Sequence, residues 1–250
     1  LGNRFMEHVN HYGVDVMALE RVVKLEKNGE YWEVELSSGA KLQTKAVIVC
    51  SGARWRQLGV PGEKEYQGHG VAYCPHCDGP LFKGKDVVVV GGGNSGVEAA
   101  IDLAALCRSV TLLQRGGKLT ADEVLVKRLE STSNAKIVYN LDIEKLEGDG
   151  TVLTGVTYRE RATGELRTVS AAGCFVQIGL VPNTDFLKGT VELTKWGEIV
   201  VDAHGAASAE GIFAGGDCTA VPYKQVVIAL GGGATAALGA FDWLIRQETK

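Results

Sequence analysis

Cysteine is scarce in this sequence. Six occur in 250 residues, about 2.4 per cent against the roughly 8 to 10 per cent of a disulfide scaffold, so disulfides do not hold the fold together. A zinc framework is short of ligands as well, because Cys74-x-x-Cys77 has no second cysteine pair to complete it. Neither charge sign is in large excess. Lys and Arg number 26 against 30 Asp and Glu, a net charge of −4 with the signs interspersed. No basic stripe is available to displace phosphate counterions, and nucleic acid is not an expected partner. Apolar runs such as Asp86 to Gly91 are far shorter than the roughly 18 residues of a membrane span, and no charged-then-apolar leader opens the chain. A soluble cytoplasmic protein without membrane contact is expected. Low-complexity tracts and repeats of 20 to 50 residues are missing too.

What is abundant is glycine, 33 residues without the collagen period, which signals tight turns or close cofactor approaches. At roughly 150 residues per domain, the length favours two modest domains or one large one. Phe5, Met6, Val9 and Tyr12 give a helical apolar stripe with no capping residue before it, so the chain is expected to begin inside a longer protein. Tyr31 to Leu36 alternates as a strand, Ser37-Ser38-Gly39 turns, and Ala46 to Cys50 reads as a buried strand. After a Gly- and Pro-rich connection from Leu58 to Gly84, strands and helices alternate: Asp86 to Val90, a helix from Ser95, Val110 to Leu113, Asp122 to Leu129, and Lys136 to Tyr139. This pattern predicts a parallel sheet. Strands are also expected at 152–158, 166–169, 174–178, 198–201 and 211–214, with a helix from Gln225 to Leu244.

Gly91-x-Gly93-x-x-Gly96 follows a valine strand and opens a helix. That context points to a dinucleotide site, where glycines let a pyrophosphate approach the helix N-terminus. Ser95 and Glu98 have the spacing of a capping box. At the end of the second strand, where an acid would accept from the ribose 2′-hydroxyl, stand Gln114 and Arg115, so the choice between NADH and NADPH stays open. Cys74-x-x-Cys77 is open to three readings: half a zinc site, a redox dithiol or two buried cysteines. Its place beside a dinucleotide motif favours the dithiol. Asp78 reads either as proton donor and base to the thiols or as a turn residue, and His76 either lowers a cysteine pKa or is exposed. Cys50, Cys107, Cys174 and Cys218 read as small apolar packers, and the four tryptophans as packing or edge residues. Gly215-Gly216-Asp217 follows an apolar strand, where the carboxylate either reaches a ligand hydroxyl or caps a helix.

The run from Cys74 through Pro80 and Phe82 to Lys85, leading into Gly91-Gly92-Gly93-Asn94-Ser95-Gly96, resembles the flavoprotein subunit of alkyl hydroperoxide reductase, a relative of thioredoxin reductase. Val176-Gln177-Ile178-Gly179, Pro182-Asn183-Thr184, Gly216-Asp217-Cys218-Thr219 and Val221-Pro222-Tyr223-Lys224-Gln225 extend the likeness over the whole chain. The resemblance implies an α/β fold in which a Rossmann-like NAD(P)-binding domain with the redox dithiol, residues 54–179, is inserted into an FAD-binding Rossmann-like domain. The latter is represented incompletely here, by residues 1–53 and 180–250. It implies FAD and NADH as cofactors, with NADPH possible. Gly91, Gly93, Asn94, Ser95, Gly96, Gln114 and Arg115 would contact the nicotinamide nucleotide, and Gly216, Asp217, Lys224 and Gln225 the flavin. Cys74, Cys77 and Asp78 would be catalytic, with Cys77 flavin-proximal and Cys74 the exchanging thiol, and no metal is involved. The implied partners are a thioredoxin-like dithiol domain and a peroxiredoxin, in a homodimer devoted to peroxide detoxification. The likeness also departs from the family in two ways. The FAD pyrophosphate turn and the N-terminal dithiol segment have no counterpart ahead of Leu1, and Gln114 replaces an expected Glu. The chain is therefore expected to be a C-terminal fragment that is inactive alone.

Overall fold

The computed structural model describes residues 2–248, with the backbone alone at 248. The chain forms two compact units, one from the stretches up to Arg54 and from Val181 onward, the other from Trp55–Leu180.

The discontinuous unit opens with α1 (Gly2–His11), none of whose residues is buried. Strands β1 (Val22–Asn28), β2 (Tyr31–Leu36) and β3 (Lys41–Thr44) form an antiparallel sheet in that order. Alternation along β2 buries Trp32 and Leu36. Sequence reading misses β1, where only Leu25 is buried and three of the seven residues are charged. The strand expected at Ala46 to Cys50 shortens to β4 (Val47–Val49), and only Val49 is buried. β5 (Ala53–Trp55) follows.

The continuous unit contains β6 (Val71–Ala72), α2 (Pro75–Asp78) running into a 3-10 turn, β7 (Asp86–Val90), α3 (Asn94–Ala104), β8 (Ser109–Leu113), α4 (Glu123–Glu130) and β9 (Ala135–Val138). It continues with β10 (Leu141–Gly148), β11 (Leu153–Glu160), β12 (Leu166–Ser170) and β13 (Gly173–Val176). The main sheet is parallel, in the order β6-β13-β7-β8-β9. The four valines of β7 are all buried because both faces are covered. Val87 and Val89 join Val97, Ala100 and Leu103 of α3 in one core cluster. Val88 and Val90 join Leu141, Leu146 and Val156 of the antiparallel β10-β11-β12 sheet in the other. Each such valine contributes roughly 1.5 to 3 kcal/mol of burial. β10 is invisible to period-two reasoning because its register shifts between Ile143 and Lys145.

The chain returns through β14 (Leu180–Pro182), which pairs with β5, to β15 (Ile212–Ala214), which pairs in parallel with β4, and α5 (Val226–Glu248). The strand expected at 198–201 is present only as isolated bridges at Ile199 and Val201. α5 corrects the expectation about apolar length, since by length and composition it is long and apolar enough to cross a membrane. Its glycines hide the run from a reading of unbroken apolar stretches, and Gly239 places the helix backbone hard against His204. Ala236 and Ala240 are buried with Phe213, while Leu238 and Phe241, like Val227, are exposed.

Candidate active site

Pro75, at the first position of α2, starts that helix with a ring already set to helical geometry. Cys74 is its N-cap, and the Cys74 Sγ accepts the Cys77 backbone N–H at 3.2 Å. Cys74 and Cys77 form a disulfide, with their Cα atoms 5.3 Å apart. The disulfide fits the dithiol reading, and the pair is not buried: Cys74 is half-buried and Cys77 exposed. Asp78 closes the same turn, its N–H donating to the Cys74 carbonyl at 3.0 Å. His76 is exposed, with Nδ1 3.6 Å from Asp102 Oδ2 of α3.

The dithiol has a buried foundation that sequence reading misses. Glu63, 2 % exposed, accepts from the backbone N–H groups of Leu58 and Gly59 and from the Tyr73 hydroxyl at 2.9 Å. The Tyr73 carbonyl accepts from Gln177 Nε2 at 2.8 Å, and its ring stacks on Trp55. The residue before Cys74 is thus fixed at both its hydroxyl and its backbone. Burial and the neighbouring carboxylate both push the Tyr73 phenol up, keeping it a donor.

Between β7 and α3 the turn is shaped by close approach. Gly91 has φ 123°, and a side chain there would strike the Gln177 carbonyl. A Cβ on Gly96 would strike the Gly91 carbonyl, so a larger residue would push the helix off the strand. The capping box is corrected here. α3 begins at Asn94 with Gly93 as N-cap, and no side chain caps it. Ser95 is one residue inside the helix and exposed, leaving the first amides uncapped by side chains. Asn94 instead reaches Asp122 ahead of α4. Gln114 donates from Nε2 to the Lys118 carbonyl at 2.9 Å, and Arg115 Nε to Asp142 Oδ1 at 2.9 Å. Gln114, Arg115 and Asp142 line a cleft of about 470 Å³ with Gly91, Leu58 and Ile178.

In the discontinuous unit, β15 ends at Gly215-Gly216-Asp217, and no helix starts there, which removes the capping reading of Asp217. Its Oδ1 is buried without a hydrogen-bond partner among the described residues. A buried carboxylate oxygen left unpaired is costly, so the position fits a ligand hydroxyl. Lys224 is held by Glu198 at 2.9 Å and donates to the Thr219 carbonyl at 2.6 Å, which fixes the loop before Gln225. Gln225 is exposed immediately before α5, where its carbonyl accepts from Ala229 N–H. Of the expected apolar packers, Cys107, Cys174 and Cys218 are buried but Cys50 is exposed. Cys50 lies just past the end of β4, outside the strand pairing that buries Val49. Trp32 packs in the core, whereas Trp196 is 70 % exposed.

The family profile described as Pyridine nucleotide-disulphide oxidoreductase matches residues 2–236. The chain belongs to the pyridine nucleotide-disulphide oxidoreductase family. Among curated members it is 58% identical over 241 residues to a Bacillus subtilis protein named NADH dehydrogenase, covering 96% of this chain and 47% of that protein. It is 55% identical over 251 residues to the F subunit of alkyl hydroperoxide reductase in Pseudomonas aeruginosa, covering 99% of this chain and 48% of the relative. The chain thus spans about half the length of the curated relatives it matches. Among solved structures, thioredoxin reductase from Streptococcus pyogenes superposes with a TM-score of 0.89 at 32% identity, covering 97% of this chain and 79% of that one. The α/β, Rossmann-like fold is that of this oxidoreductase family, and the likeness to alkyl hydroperoxide reductase flavoprotein subunits holds over nearly the whole chain.

Proposed function

We propose that this chain carries the nucleotide and dithiol machinery of an NADH-dependent, FAD-linked disulfide reductase of the alkyl hydroperoxide reductase type. The observation that supports this most strongly is the Cys74–Cys77 disulfide on a short helix that meets α3, the helix opened by the dinucleotide turn. Two sulfurs that can be reduced, set beside a nucleotide site, make a path for an electron pair.

In this reading the uncapped amides of α3 and the Gly91 to Gly96 turn hold the nucleotide pyrophosphate, and Gln114 and Arg115 face the adenosine ribose. Gly216, Asp217, Lys224 and Gln225 belong to the flavin side, where the orphan Asp217 oxygen would accept from a hydroxyl of the bound FAD. When bound, FAD supplies a two-electron relay between a nicotinamide hydride and a disulfide. The net first half-reaction converts NADH, one proton and the Cys74–Cys77 disulfide into NAD⁺ and two thiols. Asp78, in the same turn, delivers and removes the thiol protons. In the second half, the Cys74 thiolate attacks a partner disulfide, and Cys77 attacks the resulting mixed disulfide, releasing the reduced partner and restoring the internal bond. The partner is a thioredoxin-like dithiol domain that reduces a peroxiredoxin, in a cytoplasmic homodimer devoted to removing peroxides. Residues 54–179 serve as the nucleotide domain, and 1–53 with 180–250 as the flavin domain.

The test is NADH-dependent reduction of a thioredoxin-like disulfide, measured on the natural polypeptide that carries this sequence and supplied with FAD. Turnover that persists with both Cys74 and Cys77 changed to Ser contradicts the assignment.

A further inference from the structure

In nucleotide sites of this kind a strand-end acid accepts from the ribose 2′-hydroxyl and repels a 2′-phosphate, yet the end of β8 carries the uncharged Gln114. Its Nε2 is already committed to Lys118. A carboxylate nonetheless reaches the same cleft from β10, an element outside the parallel sheet: Asp142 lines it together with Gln114 and Arg115. Asp142 accepts from Arg115 Nε at 2.9 Å and from Arg161 Nε and Nη2 at 2.7 and 3.0 Å. We propose that Asp142 determines nucleotide specificity at this site, favouring NADH over NADPH. The proposal rests on the dinucleotide reading given above.

The chemistry follows from counting donors and acceptors. A 2′-phosphate needs cationic donors, and Arg115 is the guanidinium among the residues lining the cleft. Asp142 ties up its Nε, and Arg161 directs two N–H groups at the same carboxylate rather than into the cleft. An incoming phosphate dianion therefore competes with the Asp142 carboxylate for the Arg115 guanidinium, whose Nε is already taken. A ribose hydroxyl meets the opposite situation. An ionised carboxylate offers about four acceptor positions, three of which the arginines occupy, so one remains for the 2′-hydroxyl. Arg161 and Arg115 also keep Asp142 ionised, holding its carboxyl below the ordinary range.

The Arg115 guanidinium is a latent phosphate ligand that removal of the Asp142 charge releases. Asp142→Asn keeps the shape of the side chain, removes the carboxylate charge that competes with phosphate and releases Arg115 to pair with phosphate through charge-assisted bonds.

The experiment is calorimetric titration of the whole chain with ADP-ribose and with its 2′-phosphorylated form, which requires no flavin. The wild type is expected to prefer ADP-ribose. Asp142→Asn should shift the ratio of the two dissociation constants toward the phosphorylated ligand by about tenfold, or about 1.4 kcal/mol. Adding Arg115→Ala should cancel that gain. Thermal melting checks that each variant is folded, with Asp142→Ser as the second uncharged variant if Asn lowers the melting point. A ratio unchanged in the folded variants, or a gain that survives loss of Arg115, overturns the role of Asp142 while ADP-ribose binding still supports the dinucleotide site. Failure of the wild type to bind either ligand overturns the dinucleotide reading itself, and this proposal with it.

Discussion

The Tyr73 hydroxyl donates to Glu63 Oε1 across 2.9 Å in the interior of the continuous unit, one residue before the first cysteine of the disulfide. The same carboxylate accepts from the backbone N–H groups of Leu58 and Gly59. Glu63→Ala strands the buried Tyr73 hydroxyl, at about 1 to 3 kcal/mol, and removes the acceptor of two N–H groups that water can reach. A loss of about 2 kcal/mol is expected in urea unfolding. Tyr73→Phe removes a single donor and should cost about 1 to 2 kcal/mol. Equal midpoints for wild type and Glu63→Ala would show that the network contributes nothing.

For the dithiol, Cys77→Ser in the natural polypeptide, supplied with FAD, should abolish disulfide reduction yet leave NADH oxidation by oxygen intact. That reaction needs only hydride entry and no sulfur. Cys74→Ser should behave in the same way. Because Cys77 is exposed and Cys74 half-buried, trapping the mixed disulfide decides their order. Cys77→Ser should retain a stable adduct between Cys74 and a thioredoxin-like partner on gels. An adduct seen only with Cys74→Ser would reverse the two roles.

Asn94 and Asp122 hold each other reciprocally. Asn94 Nδ2 donates to Asp122 Oδ2 at 3.1 Å, and the Asp122 backbone N–H donates to Asn94 Oδ1 at 2.8 Å. The pair ties the start of α3 to the loop that covers Gly92, where the Thr120 N–H meets the Gly92 carbonyl at 2.8 Å. Asn94→Ala should weaken ADP-ribose binding by about three- to tenfold, corresponding to about 1 kcal/mol for exposed hydrogen bonds. Calorimetry reads the change, and unchanged affinity would mean that the loop holds its position without Asn94.

Stability should fall with acid through Asp86 at the start of β7. Hydrogen bonds from Arg108 and then Ser109 lower its carboxyl from 3.8 to about 2. A pKa depressed in the folded state adds stability that is fully present above the unfolded value, near 4, and is lost as pH falls through about 2. Arg108 is largely exposed, so solvent screening limits the contribution to about 1 kcal/mol. Wild type should melt higher than Asp86→Asn at pH 6, and the gap should close between about pH 4 and 2. A gap independent of pH would assign the effect to packing.

The unpaired cysteines should react in an order set by burial. Burial pushes the Cys174 thiol to about 12, and Glu63 adds to the effect. Cys50 is exposed. Iodoacetamide should therefore modify Cys50 in the native protein and reach Cys174 only after unfolding, as peptide mass spectrometry can show.

Features written in contiguous residues are legible without any structure. Cys74-x-x-Cys77 is open to three readings by its spacing, and its place beside the dinucleotide motif favours the dithiol; the disulfide between them fits that reading. Gly91 to Gly96 reads as a nucleotide turn because strand, turn and helix are consecutive, and the four valines of β7 mark a strand covered on both faces. Features that depend on distant partners emerge only with the folded chain. Ser95 has the spacing of a cap, but the helix starts at Asn94 and its cap is Gly93. Glu63 has the surroundings of a loop acid in the sequence, and folding closes Leu58, Gly59 and Tyr73 around it. Asp142 sits in a strand whose bulge erases its alternation, and only the pairing of β10 with β11 brings it near Arg161. Local spacing fixes which groups can react. Which carboxylate is buried, paired or left waiting for a ligand is set by neighbours far away in the chain, because desolvation and hydrogen bonding depend on distance in space rather than in sequence.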